Sequence, residues 1–136
     1  MVDNRLALVV EDDALNILAI TSLLTKMGIR YKRNTTGAHV TQQARDLLPD
    51  FILLDMDLPA GDPFLIREDL YADPLLRHIP IIAISDPNLV RKLQPSLSAN
   101  QFAAYMSKPL CQPDLDGVLH RILGLPSFSP QPRSDR

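Results

Sequence analysis

The chain has a single cysteine, no strong excess of either charge and no long hydrophobic run. Each shortage removes a class of function. With Cys111 alone there is no disulfide framework and no cysteine-rich metal site, which fits a reducing compartment. The thiol itself reads as buried or inert. A formal charge of -2, with acids and bases interspersed along 136 residues, leaves no electrostatic footprint for nucleic acid or an anionic membrane. The run "LALVV" from Leu6 is too short for a signal-peptide core or a membrane span, and it leads directly into Glu11, Asp12 and Asp13. The expectation is a cytoplasmic protein that binds neither nucleic acid nor membrane.

What the chain does have is hydrophobic content, 46% of its residues, enough in about one domain for a substantial core. Short apolar runs alternate with stretches of helical period. "LALVV" (Leu6 to Val10), "FILL" (Phe51 to Leu54), "IPIIAIS" (Ile79 to Ser85) and "AAYMS" (Ala103 to Ser107) are strand-sized. Their nearly continuous hydrophobicity predicts strands covered on both faces, as in a parallel sheet. "IRYKR" (Ile29 to Arg33) alternates and predicts an edge strand. Leu15, Leu18, Ala19, Ser22 and Leu23 fall at helical spacing ahead of Gly28. Further helices are expected over Ala38 to Leu47, Phe64 to Tyr71, a short piece after Pro87, and Pro113 to Leu123. The alternation predicts a doubly wound α/β domain with helices on both faces. No internal repeat is evident. From Gly124, "GLPSFSPQPRSDR" reads as a disordered tail rich in proline and serine.

In an open parallel sheet, ligands bind outside the carboxyl ends of the strands. The expected strands end at Glu11, Asp12 and Asp13; at Asp55, Met56 and Asp57; at Ser85; and at Lys108. Carboxylates gathered at one edge repel one another unless a cation sits among them, and hard oxygen ligands suit magnesium. A divalent ion would also neutralise an arriving phosphoryl group, while an ammonium and a hydroxyl hold its other oxygens. Phosphoryl transfer to an aspartate is the chemistry such an edge supports.

The ordered set "VVEDD", "LLDMDLP", "IIAIS" and "YMSKP" resembles the receiver domain of two-component response regulators, of the single-domain type, over roughly Arg5 to Leu123. The resemblance implies a flavodoxin-like five-stranded sheet in strand order 2-1-3-4-5. It implies a receiver domain over residues 1–123 and a tail over 124–136. Asp55 would be the phosphoacceptor, and Glu11 and Asp12, with Asp55 and the Asp57 carbonyl, the magnesium site. Ser85 and Lys108 would hold the phosphoryl group. Tyr105, three residues before the lysine, would be the aromatic switch, answering to the shift of Ser85. Pro109 matches a proline that in the family follows the lysine through a cis bond. The implied donor is a histidine kinase or a histidine phosphotransfer protein. The implied output is contact with a downstream protein by a monomer or weak dimer, with no enzymatic turnover beyond self-directed phosphotransfer and autodephosphorylation.

Three stretches depart from that pattern. "AGDPF" places Pro63 where the family usually has a glycine, with Gly61 earlier, and Pro63 reads as the opening of the next helix. Asp86, followed by Pro87, stands where a small residue normally follows the hydroxyl. Asp57, Asp86 and Pro87 are therefore candidate modulators. "SANQFAAY" brings bulky Gln101 and Phe102 before the last strand. Two rival readings stand beside the receiver: a receiver-fold interaction module that no longer switches, and a haloacid-dehalogenase-like phosphatase, whose signature also begins Asp-x-Asp. Asp13 reads as a helix cap. His39, His78 and His120 have no ligand spacing and read as surface or structural.

Overall fold

Strands covered on both faces need apolar side chains at consecutive positions, and the chain supplies them three times over. In a computed structural model, which describes residues 4–58, 61–88 and 102–124, five parallel strands form one sheet. They are β1 (Leu6–Val10), β2 (Arg30–Asn34), β3 (Phe51–Asp55), β4 (Ile81–Ser85) and β5 (Ala104–Ser107), in the order β2-β1-β3-β4-β5. Among the described residues there are four helices: α1 (Ala14–Lys26), α2 (Val40–Leu47), α3 (Pro63–Ala72) and α4 (Gln112–Leu123). The fold class and strand order are those expected from the sequence.

Successive strand residues face opposite ways, so the sheet builds two cores. Leu8, Val10, Ile52, Leu54 and Ala83 pack toward Val40 and Ala44 of α2 and Ile66 and Leu70 of α3. Ala7, Val9, Phe51, Leu53, Ile82 and Ile84 pack toward Ile20 and Leu24 of α1 and Leu115 and Leu119 of α4. β2 is different: it is mostly exposed, only Asn34 is buried, and it lies at the sheet edge as its alternation predicted. Arg30, Lys32 and Arg33 there discourage pairing with another chain.

Element ends differ from the sequence reading by a residue or two, each for a local reason. α2 starts at Val40, not Ala38, because Gly37 (φ 85°) and His39 (φ 59°) are left-handed. A β-carbon on Gly37 would lie 3.3 Å from Leu58 Cδ1, a tight contact from which that side chain would have to give way, in addition to the left-handed backbone there. β4 starts at Ile81, not Ile79, because the Ile79 amide donates to the Leu76 carbonyl (3.0 Å) in a turn. β3 runs on to Asp55 itself. Pro63 does open α3, and Asp62 caps it by accepting from the amides of Phe64 (2.9 Å) and Leu65 (3.4 Å). Asp13 caps α1 through the Asn16 amide (2.9 Å), as expected. Cys111, read as a buried or inert thiol, is exposed just before α4. The piece expected beyond Pro87 and the tail beyond Gly124 lie outside the described residues.

Asn34 ties the end of β2 to the site edge. Its side-chain nitrogen donates to the Ala38 carbonyl (2.8 Å) and Gln43 Oε1 (3.0 Å), while its Oδ1 accepts from the amides of Thr36 (3.2 Å) and Gly37 (2.8 Å). Its own carbonyl accepts from the Glu11 amide (3.0 Å). Removing a buried hub of this kind strands several polar groups. Asn34→Ala is expected to lower stability by about 2 kcal/mol in urea unfolding, and an unchanged midpoint would contradict it.

Candidate acidic site at the strand ends

Parallel register brings the carboxyl ends of β1, β3, β4 and β5 to one edge. Val10 pairs with Leu54, Asp55 with Ile84, and Ser85 with Ser107. The residues that follow or finish these strands therefore meet. Glu11 and Asp55 are each 1% exposed. One oxygen each of Glu11, Asp12 and Asp55 falls within 4.8 Å of the others.

Lys108 is the cation among them. Its Nζ donates to Asp55 Oδ1 at 2.9 Å and lies 3.5 Å from Glu11 Oε1 and 3.6 Å from Asp57 Oδ2. The Lys108 amide donates to the Ser85 carbonyl (2.8 Å), which fixes the lysine beside β4, and the Lys108–Pro109 bond is cis. Burial works against the ammonium charge. The Asp55 hydrogen bond and the pull of Asp55, Glu11 and Asp57 outweigh it and raise the Lys108 pKa. Asp55 Oδ1 also accepts from the Asp57 amide (3.0 Å).

Glu11 is the strained member. Burial first, and then the adjoining Asp55 carboxylate, push its carboxyl up to about 7, only partly offset by the Asp13 amide and by Lys108. Its Oε2 accepts from the amides of Asp12 and Asp13 (both 3.2 Å), while its Oε1 is buried with no hydrogen-bond partner. Ser85 Oγ is likewise buried and unpartnered. An orphaned carboxylate oxygen among three acids, with a single ammonium to balance them, fits a hard divalent cation such as magnesium.

The remaining sequence candidates are placed as follows. Tyr105 sits on β5 with a buried hydroxyl that has no partner; burial raises its pKa against the opposing charge of Arg67. Asp86 is exposed and accepts from the Asn88 amide (2.9 Å), a local turn bond, and Pro87 beside it is exposed. His39, His78 and His120 are exposed and outside the cluster. Two features escaped sequence reading. The Asp57 side chain approaches Lys108, a contact not expected from its readings as a carbonyl ligand and a candidate modulator. Phe102, noted only as bulky, is buried and stands edge-on between Phe64 (6.0 Å) and Tyr105 (5.7 Å). Its place in "SANQFAAY" was the available signal.

Comparison with known proteins points one way. The sequence profile of the response regulator receiver domain matches residues 7–120. The chain is 30% identical over 117 residues to the polar-differentiation response regulator DivK of Brucella ovis, covering 86% of this chain and 94% of that protein. Among solved structures it is similar to the receiver domain of the sensor histidine kinase PA1611 from Pseudomonas aeruginosa PAO1, described with magnesium in its active-site cleft. That match has a TM-score of 0.77 and 27% identity, covering 90% of this chain and 100% of that one. A sensor protein from Polaromonas sp. JS666 shares the fold at a TM-score of 0.80 and 20% identity, covering 90% and 98%.

The Glu11 environment gives a pH-dependent expectation. A carboxyl raised from 4.5 to about 7 keeps its proton in the folded state after the unfolded chain has lost its own, so its contribution falls as pH rises through that window. In chelator, the Tm is expected to be lower at about pH 8 than at about pH 5.5 through this group, and magnesium to raise it by several degrees more at the higher pH. Equal magnesium shifts at both pH values in differential scanning would contradict this.

Proposed function

The chain belongs to the response regulator receiver domain family, and from that premise we propose that it is a phosphorylation switch with Asp55 as its phosphoacceptor. Receiver domains act with histidine kinases or phosphotransfer proteins as signalling domains rather than as enzymes with a released product. The observation that carries the residue-level reading is Asp55 Oδ1, buried and 2.9 Å from the Lys108 ammonium, with the orphaned Ser85 hydroxyl on the neighbouring strand. A phosphohistidine from a cytoplasmic kinase or phosphotransfer protein is the donor we infer. An Asp55 carboxylate oxygen forms the new O–P bond as the donor's N–P bond breaks, and the imidazole leaves with the bonding electron pair.

Glu11, Asp12, Asp55 and the Asp57 carbonyl would hold magnesium, which when bound neutralises charge on the transferring group. Lys108 would exchange its contact with Asp55 Oδ1 for a phosphoryl oxygen. Ser85 Oγ, a donor with nothing to bond, would take another. Drawing Ser85 toward the phosphoryl group leaves room beside β4 into which Tyr105 turns, and the face around β5 and α4 then offers a different surface to a partner protein. The phosphoryl group does this only by favouring one of two states over the other. The profile match across residues 7–120 favours this reading over the phosphatase, and the joint placement of Asp55, Ser85 and Lys108 favours it over a module that no longer switches. The domain we assign spans residues 1–123, with 124–136 as a tail outside it.

Intact-mass analysis after a small phosphodonor and magnesium is expected to show one phosphoryl adduct on the parent chain and none on Asp55→Asn. No adduct at saturating donor would overturn the assignment. Asp86 is exposed and accepts from the Asn88 amide, so water weakens its field at the site. Asp86→Asn, which keeps an acceptor and removes the charge, is expected to speed adduct formation by no more than about threefold. A tenfold or greater change would make Asp86 a principal modulator.

A further inference from the structure

β2 closes one side of the sheet, and its open edge differs in charge from the rest of the molecule. Residues 14–45 include Lys26, Arg30, Lys32, Arg33 and Arg45 and contain no aspartate or glutamate, although the whole chain has a net charge of -2. Arg45 is paired with Asp73 (2.8 Å), and Arg30 donates one nitrogen to the Asn4 carbonyl (2.8 Å). Lys32 and Arg33 are exposed, and among the described residues neither is in an ion pair. The backbone of this edge is open as well. The Arg30 amide donates to the Arg5 carbonyl on β1 (3.0 Å), so the alternation of a parallel ladder turns the amides of Tyr31 and Arg33 outward. The Arg33 carbonyl already accepts from Gln43 Nε2 (3.1 Å). The Tyr31 amide and carbonyl and the Arg33 amide have no protein partner among the described residues.

We propose that β2 accepts an extended acidic segment of a partner protein as a sixth strand, with carboxylates at alternate positions facing Arg30 and Lys32. In additions of this kind the main-chain bonds to an exposed sheet edge give affinity, and alternate side chains give selectivity. Arg30 and Lys32 share the α2 face of β2, because Tyr31 between them packs against the α1-side core. Opposite charges across a strand pair are favourable, and like charges are not. A second copy of β2 would set cation against cation, so the charges that bar indiscriminate pairing admit an acidic strand. The same cations speed encounter with an acidic partner. None of these residues belongs to the acidic site, so the proposal holds whether or not Asp55 accepts a phosphoryl group.

Amide NMR titration of the full chain with a blocked heptapeptide of alternating threonine and glutamate tests this. Saturable shifts centred on Arg30 to Asn34 are expected, with a Kd below about 1 mM. The same peptide with lysine in place of glutamate, and a version N-methylated along its backbone, are each expected to bind at least about tenfold more weakly. Lys32→Glu, at an exposed side chain, is expected to weaken binding of the glutamate peptide by about tenfold or more with the thermal melt still cooperative. Lys32→Arg is expected to retain it. A short DNA duplex and vesicles of anionic phospholipid offer charge but no strand, and are expected to bind this edge more weakly than the peptide. Absence of saturable binding, equal affinity for the lysine or N-methylated peptide, an unaffected Lys32→Glu variant, tighter binding of DNA or vesicles, or shifts centred on another surface would each overturn the proposal.

Discussion

One ammonium lets two carboxylates stay buried at the ends of strands β1 and β3, which are themselves closed to water. Glu11 and Asp55 have almost no exposed surface, and an isolated charge so placed would lose several kcal/mol of hydration. Lys108 reaches both, and Asp57 as well, from a strand on the far side of β4. The arrangement is under-compensated. Three acids share one cation, and the imbalance surfaces as the raised Glu11 carboxyl and its Oε1, which has the distant ammonium but no hydrogen bond. A site balanced by protein groups alone would have no place for a further cation. This one does, and the charge it lacks is the charge the proposed transfer requires.

The convergence follows from topology rather than from any local motif. Because the strands are all parallel, their carboxyl ends fall at one edge. β1 and β3 are neighbours, which sets Glu11 and Asp12 beside Asp55, while β4 and β5 bring in Ser85 and Lys108 from the other side. Stability and chemistry are thereby separated: apolar residues within the strands build the two cores, and the residues just past their ends are free to be polar. Leu53→Ala would damage a core; Asp55→Asn would alter only the edge.

That separation is also why so much was legible in the sequence. Continuous apolar runs betray strands covered on both faces, and polar residues ending several such runs in order are informative as a set, so Asp55, Ser85 and Lys108 stood out together though each alone would have been unremarkable. What the sequence does not carry is mutual geometry. Nothing local reveals that the Asp57 side chain would approach a lysine 51 positions away, or that Phe64 of α3, Phe102 before β5 and Tyr105 of β5 would form a ladder. Helix and strand limits slipped where backbone conformation overrode pattern, as with left-handed His39 before α2 and the turn at Ile79 before β4. Of the two readings of Cys111, buried or inert, burial does not hold: the residue precedes a helix and is exposed.

The aromatic ladder bears on how finely the proposed switch is balanced. With Tyr105 inward, its hydroxyl is buried and unbonded, a deficit of about 1 to 3 kcal/mol. Against it stand its packing in the core and an edge-on contact with Phe102, a contact of the kind that contributes about 0.5 to 1.5 kcal/mol. The two are similar in size, so the inward position is held without being locked. Phe102 adds weight to the inward state, since a small residue at that point would leave Tyr105 without its aromatic neighbour. Two states separated by so little respond to a modest differential interaction, and the Ser85 hydroxyl, itself buried and unbonded on the adjoining strand, is where a phosphoryl group would supply it.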